Sequence, residues 1–169
     1  MKKLFGISLL LTCLLGCDKE KIVQASCDIQ KTYSDNAEKV TITSGIWGTV
    51  SSMEGDCMPM VPPSTSSCKT CPVKRTVKIY EYTTPDQATP YNNSTTFFDS
   101  FSTQIVAEID TDDDGFYQAN IPAGHYTIVI LENGKLYANG RDGQGGLSPV
   151  IYSGEIQKVN LTMTYKAVF

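Results

Sequence analysis

The chain has 169 residues, 41% of them hydrophobic and 19% charged, with a single histidine and six cysteines. That length suits one domain with a modest appendage, and the composition excludes a wholly disordered or fibrous chain. A net charge of -4 argues against nucleic acid as a partner, because phosphate binding needs clustered cations.

Residues 1–16 form the first unit. Lys2 and Lys3 precede an apolar run of Leu4, Phe5, Ile7, Leu9, Leu10, Leu11, Leu14 and Leu15. The run is shorter than the roughly 20 residues that a permanent membrane-spanning helix needs. It ends in Leu14-Leu15-Gly16-Cys17. Positive start, short apolar stretch, small residue and cysteine, in that order, resemble a bacterial lipoprotein signal peptide with its lipobox. The resemblance implies cleavage before Cys17 and a diacylglycerol on its thiol. A triacylated cysteine holds firmly to a bilayer, since each buried CH₂ contributes roughly 0.8 kcal/mol. Loss of Lys2 and Lys3 with the leader leaves 12 basic against 18 acidic residues, a mature charge of -6. The expected location is the cell envelope, with the membrane as first partner and the outer membrane or cell surface favoured over the inner membrane. The charged run Asp18-Lys19-Glu20-Lys21 is a sorting signal read in opposite ways by different bacteria.

Residues 17–44 read as a lipidated N-terminus and polar tether, rich in Lys, Asp, Glu, Gln, Ser and Thr, with weak support for a short helix near 28–39. From Gly45 the pattern changes to short β-type runs between turn residues. These are Ile46–Val50, Thr76–Tyr82, the alternating Ile105, Ala107 and Ile109, Phe116–Ala119, and the alternating Tyr126, Ile128 and Ile130. Lys135–Asn139 pairs back through Asn133-Gly134, a type I′ hairpin signal, and Val150–Tyr152 is short. The last run alternates strictly, with Val159, Leu161, Met163 and Tyr165 on one face and Lys158, Asn160, Thr162, Thr164 and Lys166 on the other. About seven strands without a convincing amphipathic helix predict an all-β domain over 45–169, an antiparallel β-sandwich. The segment at about 51–72 lacks strand patterning and reads as a Cys-rich insertion, and 83–103 as a second polar loop. Long loops on a rigid scaffold are where function usually sits.

The run Asp110-Thr111-Asp112-Asp113-Asp114-Gly115-Phe116-Tyr117, followed by Ile121-Pro122-Ala123-Gly124-His125-Tyr126, is similar to the signature of carboxypeptidase-regulatory-like and transthyretin-like (Cna-B-like) domains. Gly45-Ile46-Trp47-Gly48-Thr49-Val50 resembles their first strand. The resemblance covers about residues 45–165 and implies the sandwich fold without a particular activity. It does not extend to the hydrolase of that fold, whose His and Arg positions and Tyr-Arg-Gly-Ser-like tail are missing. His125 reads as an outward strand residue.

Asp110, Asp112, Asp114 and Gly115 also match the first half of an EF-hand loop, but the twelfth position, where a bidentate Glu belongs, is Ile121. A solvated hairpin turn is the expected reading, and a weak Ca²⁺ site on the three aspartates the alternative. Beyond Cys13 and Cys17, four cysteines remain, an even number in an exported chain and therefore two expected disulfides. Of three connectivities, the favoured one joins Cys57 to Cys68 and Cys27 to Cys71. Free thiols among Met53, Cys57, Met58, Met60, Cys68 and Cys71 would instead suit soft Cu(I). Tyr80, Tyr82, Tyr91, Phe97, Phe98 and Tyr137 are candidate contacts. The expected function is a non-enzymatic binding or structural lipoprotein without a cofactor, acting on a protein or envelope component. A metal-handling lipoprotein is the alternative, and no nucleophile, base and orienter stand out for an enzyme.

Overall fold

A computed structural model describes residues 27–59 and 66–169. The leader, Cys17 and Met60 lie outside the described residues. In chain order the first elements are α1 (Ile29–Glu38), β1 (Ile46–Asp56), β2 (Lys69–Pro72), β3 (Thr76–Glu81), β4 (Ala88–Pro90), β5 (Phe97–Phe101) and β6 (Ile105–Asp110). They are followed by β7 (Phe116–Ala119), β8 (Gly124–Glu132), β9 (Lys135–Tyr137), β10 (Pro149–Tyr152), β11 (Gln157–Lys158) and β12 (Leu161–Val168).

The strands form the expected sandwich of two sheets. β1 is the spine of the smaller one. Along one edge β7 pairs with its first half and β2 with its second, both antiparallel. Along the other edge β11 and then β12 run parallel to it. The larger sheet has the order β4-β5-β9-β8-β3-β6, with β10 beside the first half of β8. All its ladders are antiparallel. Between the sheets lie Ile46, Val50, Val77, Ile79, Tyr117, Ile128, Ile130 and Met163, each at most 3% exposed. Tyr117 donates its hydroxyl to the Val159 carbonyl at 2.6 Å, and burial pushes its pKa well up. Tyr126 donates to the Pro122 carbonyl at 2.8 Å, tying the start of β8 to the turn before it. The outer edge of β12 meets side chains from the facing sheet: the Thr164 amide donates to the Tyr137 hydroxyl at 2.9 Å.

Three regions differ from the sequence expectation. The strand number exceeds seven because β2, β4, β5 and β11 hold two to five residues each, too few to show an alternation. Two of these, β4 and β5, lie inside the expected loop 83–103, where Phe98 is 3% exposed and pairs across to Leu136 of β9. The insertion is also shorter than 51–72, since β1 continues to Asp56 and returns as β2, burying Ser51 and Ser52.

The third difference concerns the tether, of which residues 27–44 carry a helix packed on the sandwich. Asp28 caps α1 by accepting from the Lys31 amide at 3.0 Å. Ile46 and Val50 of β1 face the core, whereas Thr49 faces α1, where Asn36 Nδ2 donates to Thr49 Oγ1 at 2.9 Å and to the Asp114 carbonyl at 3.1 Å. Lys158 Nζ lies 5.1 Å from the rings of both Tyr33 and Trp47. The disulfide Cys27–Cys71 closes the arrangement, with its Cα atoms 5.2 Å apart. These contacts are polar and long-range, so α1 needs no apolar stripe.

Cys57 and Cys68 form the second disulfide, Cα to Cα 4.7 Å, across 11 residues of sequence. Both pairings are the favoured ones. Replacing Cys57 and Cys68 by serine should cost roughly 2–3 kcal/mol in the chain-entropy account. The near-ultraviolet spectrum of the aromatic core should persist, because that core lies between the sheets. Loss of that spectrum at room temperature would show that the bond holds the fold.

Candidate binding site

A cleft of about 290 Å³ opens where two local turns meet the start of β5, lined by Tyr91, Phe97, Glu132, Asn133 and Lys135. Asn133 and Gly134 have φ of 51° and 75°, the left-handed pair that a type I′ turn requires. That turn sets Glu132 opposite Lys135 on β8 and β9. Tyr91 begins a short turn through Asn92 and Asn93, also left-handed at φ 48° and 58°. Phe97 opens β5 and stacks its ring 5.0 Å from Tyr137 and 5.1 Å from Tyr165. Lys135 Nζ bonds Asp99 at 2.6 Å and stands 4.4 Å from the centroid of Tyr91.

Glu132 is the buried charge of this site, its side chain 3% exposed. Arg75 Nε donates to Oε2 and Nη2 to Oε1 at 3.4 Å. Tyr165 donates its hydroxyl to Oε1 at 2.6 Å, and Asn133 Nδ2 reaches the same oxygen at 3.4 Å. Burial pushes the Glu132 pKa up, but the bonds from Arg75 and Tyr165 outweigh it and hold the carboxyl below its ordinary value. Burial and the carboxylate together raise the Tyr165 phenol. The cleft thus joins two aromatic faces to an ammonium, an amide and a fixed carboxylate. Few polar groups on an apolar wall suit an organic ligand that is part apolar and part hydrogen-bonding.

Of the candidate aromatics, Tyr91 and Phe97 line this cleft. Phe98 and Tyr137 are core residues, each 3% exposed. Tyr80 packs edge-on against Phe101 at 5.1 Å. Tyr82 stacks on His125 at 4.0 Å. Glu132, Asn133 and Lys135 were not among the sequence candidates, although Asn133-Gly134 already placed the flanking pair face to face.

A second cluster joins Tyr82, His125 and Asp142. His125 Nε2 stands 3.7 Å from Asp142 Oδ2, and the Tyr82 hydroxyl is 3.0 Å from both carboxylate oxygens. Asp142 also accepts from the amides of Gln144 at 3.0 Å and Gly146 at 2.8 Å. Burial opposes its ionisation, but these amides and Tyr82 prevail and lower its pKa. The carboxylate therefore closes the glycine-rich loop 140–148 against β8. His125 is half-buried, its ring stacked on Tyr82.

Asp110, Asp112 and Asp114 each have partners within the protein. Asp110 accepts from Thr76 Oγ1 at 2.7 Å. Asp112 Oδ1 accepts from the amides of Asp114 and Phe116, both at 2.9 Å, so the aspartate closes its own turn. Lys39, at the end of α1, bridges Asp112 and Asp114 at 2.7 and 2.8 Å, and Lys74 meets Asp113 at 2.9 Å. The repulsion is relieved by lysines, and no group of three metal-ligating side chains gathers among the described residues. Gly115, at φ 71°, fits the turn because a Cβ there would lie 2.3 Å from the Val50 carbonyl oxygen. The Cu(I) reading loses its thiolates, since Cys27, Cys57, Cys68 and Cys71 are all spent in disulfides.

Comparison with known protein families, with characterised proteins and with solved structures returns no match.

Proposed function

We propose that the protein is a non-enzymatic, lipid-anchored binding lipoprotein of the bacterial cell envelope, with a sandwich of the carboxypeptidase-regulatory-like kind that offers the Tyr91–Lys135 cleft to a protein or envelope component. The observation that carries the reading is Leu14-Leu15-Gly16-Cys17 behind a basic start and a short apolar run. The two disulfides support it, because such bonds persist in oxidising compartments outside the cytosol. The outer membrane or cell surface is the favoured location.

The anchor is tested by substituting Cys17→Ser and growing cells with a labelled fatty acid. The protein should lose its label, and either leave the membrane fraction or remain with its leader uncleaved. A variant that keeps the label contradicts the reading.

A further inference from the structure

We propose that the end of the sandwich bearing Met58, Val168 and Phe169 docks on the lipid surface that holds the acylated N-terminus, an inference that rests on the lipid-anchored reading above. β1 and β12 run parallel, so their C-terminal ends coincide, with Asp56 paired to Val168. Beyond Asp56, the Cys57 amide donates to the Val168 carbonyl at 2.9 Å. At this end Met58 is 47%, Val168 60% and Phe169 70% exposed. Three large apolar side chains are thus exposed near one tip, and exposed apolar surface marks contact sites.

The chain before α1 brings a lipid surface within reach of this tip. Ten residue steps separate Cys17 from Cys27, which reach at most about 35 Å when fully extended. Cys27 is then fixed to Cys71 with its Cα 5.2 Å away, three residues beyond Cys68, whose Cα is 4.7 Å from that of Cys57. Following these links, Met58 lies no more than about 25 Å from Cys27. The tether is therefore long enough for the tip to reach the bilayer, and it keeps Cys27 within about 35 Å of the anchor. Tethering also raises the local concentration of lipid, so three modest apolar insertions suffice where free protein would bind poorly. The tip carries paired charges, Lys166 on Glu54 at 2.9 Å, with Lys69 opposite Glu54 on β2 and Asp56 at the end of β1. These charges match in number by sign, so docking is carried by the apolar side chains and should depend only weakly on salt.

The test uses the full acylated chain in vesicles of phosphatidylethanolamine and phosphatidylglycerol, with and without brominated acyl chains, which quench tryptophan within the bilayer. Wild type carries one tryptophan, Trp47, at the opposite end of β1, about 30 Å from Asp56 at the strand rise. Its emission should be unaffected by bromine. In Phe169→Trp, the added emission at position 169 should fall by half or more in brominated vesicles, at low and high salt alike. Because residue 169 is exposed, this exchange leaves the core untouched. Protein that floats with the vesicles but shows no quenching at 169, or quenching of Trp47 instead, overturns the docking while leaving the anchor intact. Protein that carries no acyl group and does not float overturns both.

Discussion

Arg75→Ala should lower stability by about 2–4 kcal/mol. Breaking a fully buried ion pair costs roughly 3–5 kcal/mol, because the surviving charge is left without its partner. Here Glu132 is that charge, 3% exposed, while Arg75 keeps 33% of its side chain in water, which moderates the loss. Tyr165 and Asn133 would remain on Oε1, but Oε2 would lose the guanidinium that donates to it and balances its charge. The pH dependence has a definite sign. The Glu132 carboxyl is held below its ordinary pKa in the folded chain, so its stabilising contribution is complete above the unfolded value near 4.5. That contribution is lost as pH falls through the lower folded value. Wild type should therefore weaken on acidification below about 4.5, and Arg75→Ala should show less of this weakening, having lost the interaction already. Urea unfolding at pH 7 and pH 3 measures both effects. A change under about 0.5 kcal/mol at pH 7 would show that the pair is replaceable by water.

The second large effect belongs to the disulfide that fastens α1. Replacing Cys27 and Cys71 by serine removes a cross-link spanning 44 residues, worth about 4 kcal/mol in the chain-entropy account. A ten-residue helix is marginal alone in water, so α1 depends on its docking. In the variant it would rely on Asn36, on Lys39 with the aspartate turn, and on Lys158 between Tyr33 and Trp47. Trp47 is the only tryptophan and sits beside the helix, so its emission should move to longer wavelength as α1 loosens. Unfolding should begin with that shift and reach the buried tyrosines later. A variant with unchanged Trp47 emission and unchanged stability would show that the side-chain contacts alone hold the helix.

Sequence patterning revealed elements in which one face is apolar over several alternations. Val77 with Ile79, Ile128 with Ile130, and Leu161 with Met163 all pack between the sheets. Asn133-Gly134 read correctly as a hairpin because its left-handed backbone is a local requirement. The disulfides followed from cysteine parity and loop closure. The docking of α1 was hidden because it rests on partners distant in the chain, Asn36 with Thr49 and Lys39 with Asp112, 73 positions away. The same holds for β12, whose parallel pairing with β1 joins segments more than a hundred residues apart. The aspartate run resembled half a cation loop, since the lysines that neutralise it come from α1 and from the segment before β3. The cleft was half legible. Tyr91 and Phe97 stood out as aromatics in a polar stretch, but Glu132 and Lys135 face them only once β5 pairs with β9.

The claim that this chain is a lipid-anchored envelope protein is tested most directly by the mass of the N-terminal peptide from protein purified out of cell membranes. The expected peptide begins at Cys17 and carries thioether-linked diacylglycerol. A peptide that begins at Met1, or an unmodified Cys17 within a longer peptide, would contradict it.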